Sequence, residues 1–570
     1  MGSGRFARLD LVAAGGIVLL AVAVPAALAA TAGALDIPHN DDFDYRRIAL
    51  TLWADGRLEL RGYSAMALLG QVVAIQPFLW LSSGAPWAFA ASTALFAIAG
   101  LAAAFAAFRR ALDTPRATLA LLSVVAIPGF AVNTTSFMTD VPAMATAFAC
   151  LAIGGAAIET GGGRVRWRLV AVSVGVGCFA VTIRESAAAA PLAVLLVAAL
   201  VDRRSPWRPA LGAGVVLGTV AAIHLAGGVI PGQGDLRLDP GPGLGRLRAA
   251  FSTLALVLAP ALVLSIAWWR DRWRPLDVLP GLVVGMLLAW GPLETMVTTG
   301  QIPPMLIGNL FTLIGPDGAE ALDGVRPALY PGWAWLTVQL AAVGMTVLLP
   351  GVVTGILGSI LRDGGLHRER VRDWACSPAS LLVAFTAFTA LGLIVYGLAF
   401  SMFDRYLWPL AGSSAALLLI RPGSAAAAEP ESPGRRVAVA PAAATVALLG
   451  LGALAGLHLL ASNAFSAARW QLGEAAVAAG IPAGHVDAGM EWVGYHAEGQ
   501  ATPFATAPSG HMWYTAWWPS YRQCAKVSSR RIGTAGYELV RFEPAAYRQF
   551  QLAGPELPLY LYRVESEGCP

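Results

Sequence analysis

Charge is what this chain has least of. Only 13% of its 570 residues are Asp, Glu, Lys or Arg, against 56% hydrophobic, whereas ordinary soluble domains carry about 25% charge. That deficit excludes a soluble globular protein. Lysine is nearly missing: Lys526 is the only one, so the basic residues are otherwise arginines. They are dispersed, the net charge is only +4, and no dense basic run offers a nucleic acid its phosphate contacts. Cysteine is sparse as well. Cys150, Cys178, Cys376, Cys524 and Cys569 form no CxxC and no Cys/His spacing, which argues against the common metal modules. With a mean hydropathy of +0.62, what remains is a polytopic α-helical membrane protein.

Apolar runs fall at about 11–34, 86–107, 117–132, 141–158, 169–183, 187–201, 209–229, 249–269, 276–293, 333–360, 379–400, 406–420 and 437–461, which predicts about thirteen transmembrane helices. Arg5 and Arg8 precede the first. Its run Leu11–Ala30, about 20 residues, is long for a signal peptide and sufficient for an uncleaved anchor. The arginine clusters then set sidedness. Arg109/Arg110/Arg116, Arg164/Arg166/Arg168, Arg203/Arg204/Arg208, Arg270/Arg272/Arg274, Arg362/Arg368/Arg370/Arg372 and Arg421/Arg435/Arg436 each follow an even-numbered span. All are therefore cytoplasmic by the positive-inside rule. That agreement holds only if the apolar stretch Ser64–Ser83 does not cross, so it is read as a helix lying in the outer interface, with Trp80 suited to that depth.

The N-terminus is then cytoplasmic, and a first outer loop spans 35–85. Residues 1–462 read as the membrane region. Residues 463–570 lose the long apolar runs and alternate aromatic with polar residues, with strand patterns at Glu538–Phe542 and Leu559–Val564 and a helix at Ala468–Ala479. They read as a small α/β domain on the extracytoplasmic face. An oxidising compartment there favours a disulfide between Cys524 and Cys569, two free thiols being the alternative. Cys150 and Cys178, inside apolar runs, read as small core residues.

Charges beside a membrane are costly unless solvated or functional. Against that background an acidic knot, Asp41-Asp42-Phe43-Asp44-Tyr45, stands immediately after the first span, preceded by His39. Thr139-Asp140-Val141-Pro142 opens the fourth span, Arg184-Glu185 closes the fifth, and Phe403-Asp404-Arg405-Tyr406 opens the twelfth. The topology puts all four on the outer face, as one site. Helix capping accounts for part of the pattern, at Asn40, Asp41 or Asp140. Three acids in four residues exceed what a cap needs, and a carboxylate in a half-wet apolar pocket can act as general base toward a hydroxyl or amine. Arg405 and Arg184 suit a phosphate or diphosphate through paired hydrogen bonds.

These motifs resemble the GT-C glycosyltransferases, in particular the protein O-mannosyltransferases and bacterial aminoarabinose transferases. The Asp-Asp-x-x-Tyr pattern of Asp41–Tyr45, the interfacial helix after it, Thr139-Asp140-Val141-Pro142 and Arg405-Tyr406-Leu407-Trp408-Pro409 carry the likeness, as does the segment Asp487–His496. The resemblance implies a GT-C-like fold in the plasma (inner) membrane. It implies transfer of a sugar from a polyprenyl-phosphate donor to an envelope lipid, glycan or protein on the outer face, with inversion. Asp41, Asp42 and Asp140 would be the catalytic acids and Arg405, Arg184 and Arg61 the donor-phosphate ligands. His39, Asp44, Tyr45, Glu185, Asp404 and Tyr406 would support them. Arg61-Gly62-Tyr63-Ser64 stands where many relatives carry Lys-Pro-Pro, so Arg61 replaces the expected lysine. Some GT-C enzymes use a divalent metal, and the sequence leaves that open. The competing class is a transporter or lipid flippase, which would place its ionisable residues near mid-membrane, often within an internal repeat. No repeated half is evident here.

Overall fold

Alanine- and leucine-rich runs can satisfy their backbone in lipid only by coiling into helices, and the protein does so throughout. The computed structural model describes residues 3–60, 62–63, 67–159, 164–226, 240–299, 305–315, 322–324, 326–362, 377–421, 435–502, 505–507, 511–533, 536–539, 545–565 and 569. The apolar runs fall in helical segments, with 117–132 and 249–269 each divided between two helices. Among the described residues eight helices are long and apolar enough to cross a bilayer, and nine spans result if the broken pair Gly241–Val257 and Ala259–Arg272, bent by 68°, counts as one. The others are shorter, such as Thr114–Val125 and Trp408–Leu418. The chain is a multi-pass membrane protein.

Small residues let the helices approach. Gly281 and Gly285 face the backbone of Pro350 and Val347, and a Cβ on either would stand within 2.5 Å of those atoms. The two helices concerned, Pro275–Thr299 and Gly332–Arg362, pack by the close approach that glycine permits where no hydrophobic effect drives association. The main core runs through the helices between Ile17 and Ala444. Leucines and valines on the outward surface, Leu81, Leu287 and Val446 among them, stay exposed, as a lipid-facing surface requires.

Leu69–Ser82, the helix expected in the interface, has 14 residues, about 21 Å at 1.5 Å per residue and short of the roughly 30 Å of hydrocarbon. Its Gly70 packs on Thr182 and Ile183, where the fifth apolar helix ends, and Trp80 and Leu81 stay exposed. Ser64 and the two residues after it lie outside the described residues.

A single helix, Arg435–Ala478, runs through the position near 462 where the sequence places the domain edge. Its 44 residues reach about 66 Å, twice the hydrocarbon thickness. The polarity changes there because the helix leaves the apolar bundle, and the backbone does not break.

The helix ends in a small sheet. Its strands are β1 (Val486–Asp487), β2 (Ala525–Ser528), β3 (Tyr537–Leu539), β4 (Ala545–Phe550) and β5 (Ala553–Val564). The order is β1-β2-β5-β3, with β4 pairing β5; β1 and β2 are parallel and the other pairs antiparallel. Leu559–Val564 lies within β5 as expected, while of Glu538–Phe542 only the first two residues are described. Cys524 and Cys569 are joined in a disulfide, Cys150 is a buried free thiol and Cys178 a half-buried one; Cys376 lies outside the described residues.

Candidate active site

Four chain segments that are far apart in sequence meet at one end of the helical bundle. Asp41 precedes the helix Asp42–Asp55, Asp140 opens Asp140–Ala157, Arg184 follows Trp167–Ile183, and Arg405 sits in the 3-10 turn before Trp408–Leu418. Arg405 donates to Asp41 Oδ2 at 2.9 Å, and its Nε lies 3.6 Å from Asp140 Oδ2. Arg184 donates to Asp140 Oδ1 at 2.5 Å and to Thr139 Oγ1 at 3.2 Å. Two guanidinium groups and two carboxylates thus alternate in one chain, Arg184–Asp140–Arg405–Asp41. Arg184 also lies over the Tyr406 ring, 4.3 Å from its centroid, a geometry that orients a cation without a counter-charge.

Exposure separates the two acids. The Asp140 side chain is 3% exposed and that of Asp41 19%, while Arg405 is 2% exposed. Burial works against the charge on Arg405, but the carboxylates of Asp140 and Asp41 outweigh it and push its pKa up. Among the described residues Asp140 Oδ2 accepts no hydrogen bond, because Arg405 Nε stands too far for one. Asp140 is therefore a buried counter-ion held between two arginines, and Asp41 is the carboxylate that opens toward solvent. Neither Asp41 nor Thr139 caps its helix through its side chain, so capping does not account for these residues.

Asp42, one residue on, faces the protein interior. It is fully buried, accepting from the His39 amide at 2.9 Å, the Phe137 amide at 2.9 Å and Arg46 at 3.1 Å. Burial lifts its pKa to about 6 despite Arg46 and the two amides. With both oxygens engaged, Asp42 ties the first loop to the Phe137 turn and does not join the arginine chain. Asp404 is likewise an anchor. It accepts from the amides of Leu310 at 2.9 Å, Phe311 at 2.5 Å and Arg405 at 2.7 Å, and burial raises its pKa to about 6.

The remaining expected residues distribute as follows. Tyr45 is buried, with its hydroxyl in the field of Asp41, Arg405, Arg184 and Asp140; burial, first, and Asp41 push its pKa well up. Asp44 is buried in the same helix turn. His39 is buried and kept neutral, its pKa lowered to about 4 by burial and by Arg46. Glu185 is half-buried and forms no ion pair with the cluster among the described residues. Arg61 lies outside the described residues. Among the described residues no three His, Cys, Asp or Glu side chains converge as a cation-binding group; the cluster acids are bridged by arginines instead.

Several contributors were not singled out as site residues in the sequence. Asn309, in a long loop, accepts from Arg405 at 3.1 Å and from the Asn40 side-chain amide at 2.9 Å. Asn40 adopts a left-handed φ of 56°, and its backbone N–H donates to Glu491 at 3.2 Å. Glu491 in turn pairs with the fully buried Arg469 at 2.6 Å, so the last long helix reaches the first loop. Tyr63 donates its hydroxyl to Asp41 Oδ1 at 2.7 Å. Arginine and aspartate are visible as misplaced charge in an apolar chain. A neutral asparagine or a loop tyrosine is not.

No protein-family model matches the chain, and no curated sequence relative matches it. Among solved structures, ArnT from Cupriavidus metallidurans in its apo state aligns with 81% of this chain and 81% of its own length, at 17% identity and a TM-score of 0.34. The same protein bound to undecaprenyl phosphate aligns with 81% of this chain and 80% of its own, at 18% identity and a TM-score of 0.30.

Proposed function

We propose that the chain is a GT-C-like membrane glycosyltransferase that moves a sugar from a polyprenyl-phosphate donor to an envelope acceptor on the extracytoplasmic face. The observation that carries this reading is the alternating chain Arg184–Asp140–Arg405–Asp41, drawn from four segments to one end of the bundle with its terminal carboxylate open. A transporter would need its ion pairs at mid-depth. Here each of these residues stands at the start or end of a helix.

The chemistry follows from the pairing. A donor phosphate presents oxygens that compete with Asp41 for the Arg405 fork, since guanidinium binds phosphate and carboxylate with the same bidentate geometry. Phosphate binding therefore releases Asp41, which then serves as general base. Asp41 takes the proton of an acceptor hydroxyl as its oxygen attacks the anomeric carbon from the face opposite the phosphate. The carbon–oxygen bond to phosphate breaks, the electron pair leaves with polyprenyl phosphate, and the configuration inverts. Arg405 and Arg184 stabilise the departing charge in a water-poor site. Asp140 keeps both arginines charged and oriented, and Tyr63 holds Asp41.

The test is a purified preparation incubated with a panel of radiolabelled polyprenyl-phosphate hexoses and pentoses and with envelope lipids, glycans and proteins. Label should move to one acceptor class with release of polyprenyl phosphate. Facilitated movement of a lipid across vesicles, with no label transferred from any donor, would favour the flippase.

A further inference from the structure

The segment 305–311 is held more firmly than a connecting loop requires. Side chains of three other elements take up its amides. Met305 N–H donates to Gln339 Oε1 at 3.0 Å and Ile307 N–H to Thr253 Oγ1 at 2.9 Å, while the Leu310 and Phe311 amides donate to Asp404 at 2.9 and 2.5 Å. Gln339, Thr253 and Asp404 are all buried. Leu310 packs onto Gly129, where a Cβ would stand 2.4 Å from its side chain. Buried amides need acceptors, but backbone usually supplies them. Here buried polar side chains fix the loop on both sides of one residue, Asn309.

Asn309 is half-buried, and its neighbours allow its carboxamide a single orientation. Arg405 can only donate, so the Asn309 atom 3.1 Å from Arg405 Nη1 is the carbonyl oxygen Oδ1. The same oxygen accepts from Asn40 Nδ2 at 2.9 Å. Its two lone pairs are then used. Asn309 Nδ2, with two N–H groups, donates to nothing among the described residues. It is a donor held in place and left without an acceptor.

Its position says which acceptor it meets. In the reaction proposed above, the anomeric carbon lies between the phosphate oxygen bound by Arg405 and the hydroxyl activated by Asp41. Asn309 touches Arg405 on one side and, on the other, Asn40, the residue before Asp41. It therefore stands beside the gap between phosphate ligand and base, which the transferred sugar has to fill. We propose that Asn309 is a sugar-binding residue whose Nδ2 donates to a ring hydroxyl of the sugar being transferred, and so selects among donors that share one polyprenyl phosphate. This rests on the glycosyltransferase reading and adds to it the residue that recognises the sugar. The competing role is positioning, in which Asn309 only holds Arg405. The two roles separate at the ligand: Arg405 meets the phosphate common to every donor, and Asn309 meets the sugar alone.

The test uses the full-length protein in detergent, titrated with undecaprenyl-phosphate glucose, mannose and arabinose. Undecaprenyl methyl phosphate, a diester of the same charge without a sugar, is titrated separately. The quantity read is the Kd of the methyl ester divided by that of each sugar donor, in which changes at the phosphate cancel. For at least one sugar the wild-type ratio should exceed one. Asn309→Ala should lower that ratio about threefold to tenfold, the value of one neutral hydrogen bond. Asn309→Ser, too short to reach, carries the same comparison if the alanine variant does not fold. Asn309→Asp keeps Oδ1, and its ratio should stay near wild type, because a sugar hydroxyl can turn and donate to the carboxylate. An unchanged ratio in a folded Asn309→Ala would overturn the sugar contact and leave Asn309 as a positioning residue for Arg405. A wild-type ratio of one for every sugar would overturn it too, and both results leave the glycosyltransferase reading in place. Wild-type protein that binds neither the methyl ester nor any donor would remove that reading itself.

Discussion

Two sets of buried charge sit side by side in this protein, and their carboxylates differ in how completely they are bonded. In the first, Asp42 accepts three hydrogen bonds from Arg46 and two amides, and Glu491 accepts at both oxygens, from Arg469 and the Asn40 amide. In the second, among the described residues, Asp140 Oδ2 accepts no hydrogen bond and faces Arg405 Nε at 3.6 Å, and Asp41 keeps an open side. A buried charge in a folded protein is normally saturated, because an unmet bond costs about 1–3 kcal/mol or more. The saturated carboxylates therefore read as framework. The other set keeps bonding capacity in reserve, which is what a site needs to gain a bond when substrate arrives. Asp41 and Asp42 are neighbours in sequence and belong to opposite sets.

The sharpest way to break that comparison is to remove one member from each set. Arg405→Ala should weaken binding of the donor phosphate by about 10- to 100-fold, the value of a hydrogen bond to a charged group. Arg405→Lys should recover part of it, since an ammonium lacks the fork. Titration with undecaprenyl phosphate reads both. Asp42→Ala should instead lower stability, by about 3–5 kcal/mol, because Arg46 is left buried and unpaired. A melt in detergent checks this, and an Asp42→Ala protein that melts like wild type would remove the distinction between the sets.

A smaller effect concerns pH. His39 is buried neutral with its pKa lowered to about 4 by burial and Arg46. As pH falls through 6.5 toward 4 the unfolded chain takes up a proton that the folded one refuses, so this group loses stability on acidification. Asp42 and Asp404, raised to about 6 by burial, act in the opposite sense: the folded state takes up protons first, and stability rises as pH falls from about 6 to 4. His39→Gln removes only the first contribution. Its melting temperature should therefore fall less, or rise more, than that of wild type between pH 7 and 4.5, and parallel profiles would show that His39 titrates freely.

The sequence made one set legible and hid the other. Asp41, Asp140, Arg184 and Arg405 announce themselves as charge at the edges of apolar runs, and the arginine pattern puts all four on one side. The difference between Asp41 and Asp42 does not show in composition. Successive helical positions point about 100° apart, so only the docking of Asp42–Asp55 decides which acid meets Arg46 and which meets Arg405. Arg469 and Glu491 are 22 residues apart in a region that reads as a separate domain, and their pairing depends on the unbroken helix Arg435–Ala478. There hydropathy fell where the backbone did not. Asn309 is neutral and sits in a loop, so its role between Asn40 and Arg405 follows only from the fold.

The central claim is that Asp41, and not its neighbour, is the base. Single-turnover transfer with saturating polyprenyl-phosphate sugar tests it directly in the Asp41→Asn protein. The rate should fall by about 10²- to 10⁴-fold, the usual cost of a lost general base, while undecaprenyl phosphate binding and the melting temperature stay near wild type. Transfer by Asp41→Asn at the wild-type rate would contradict the account.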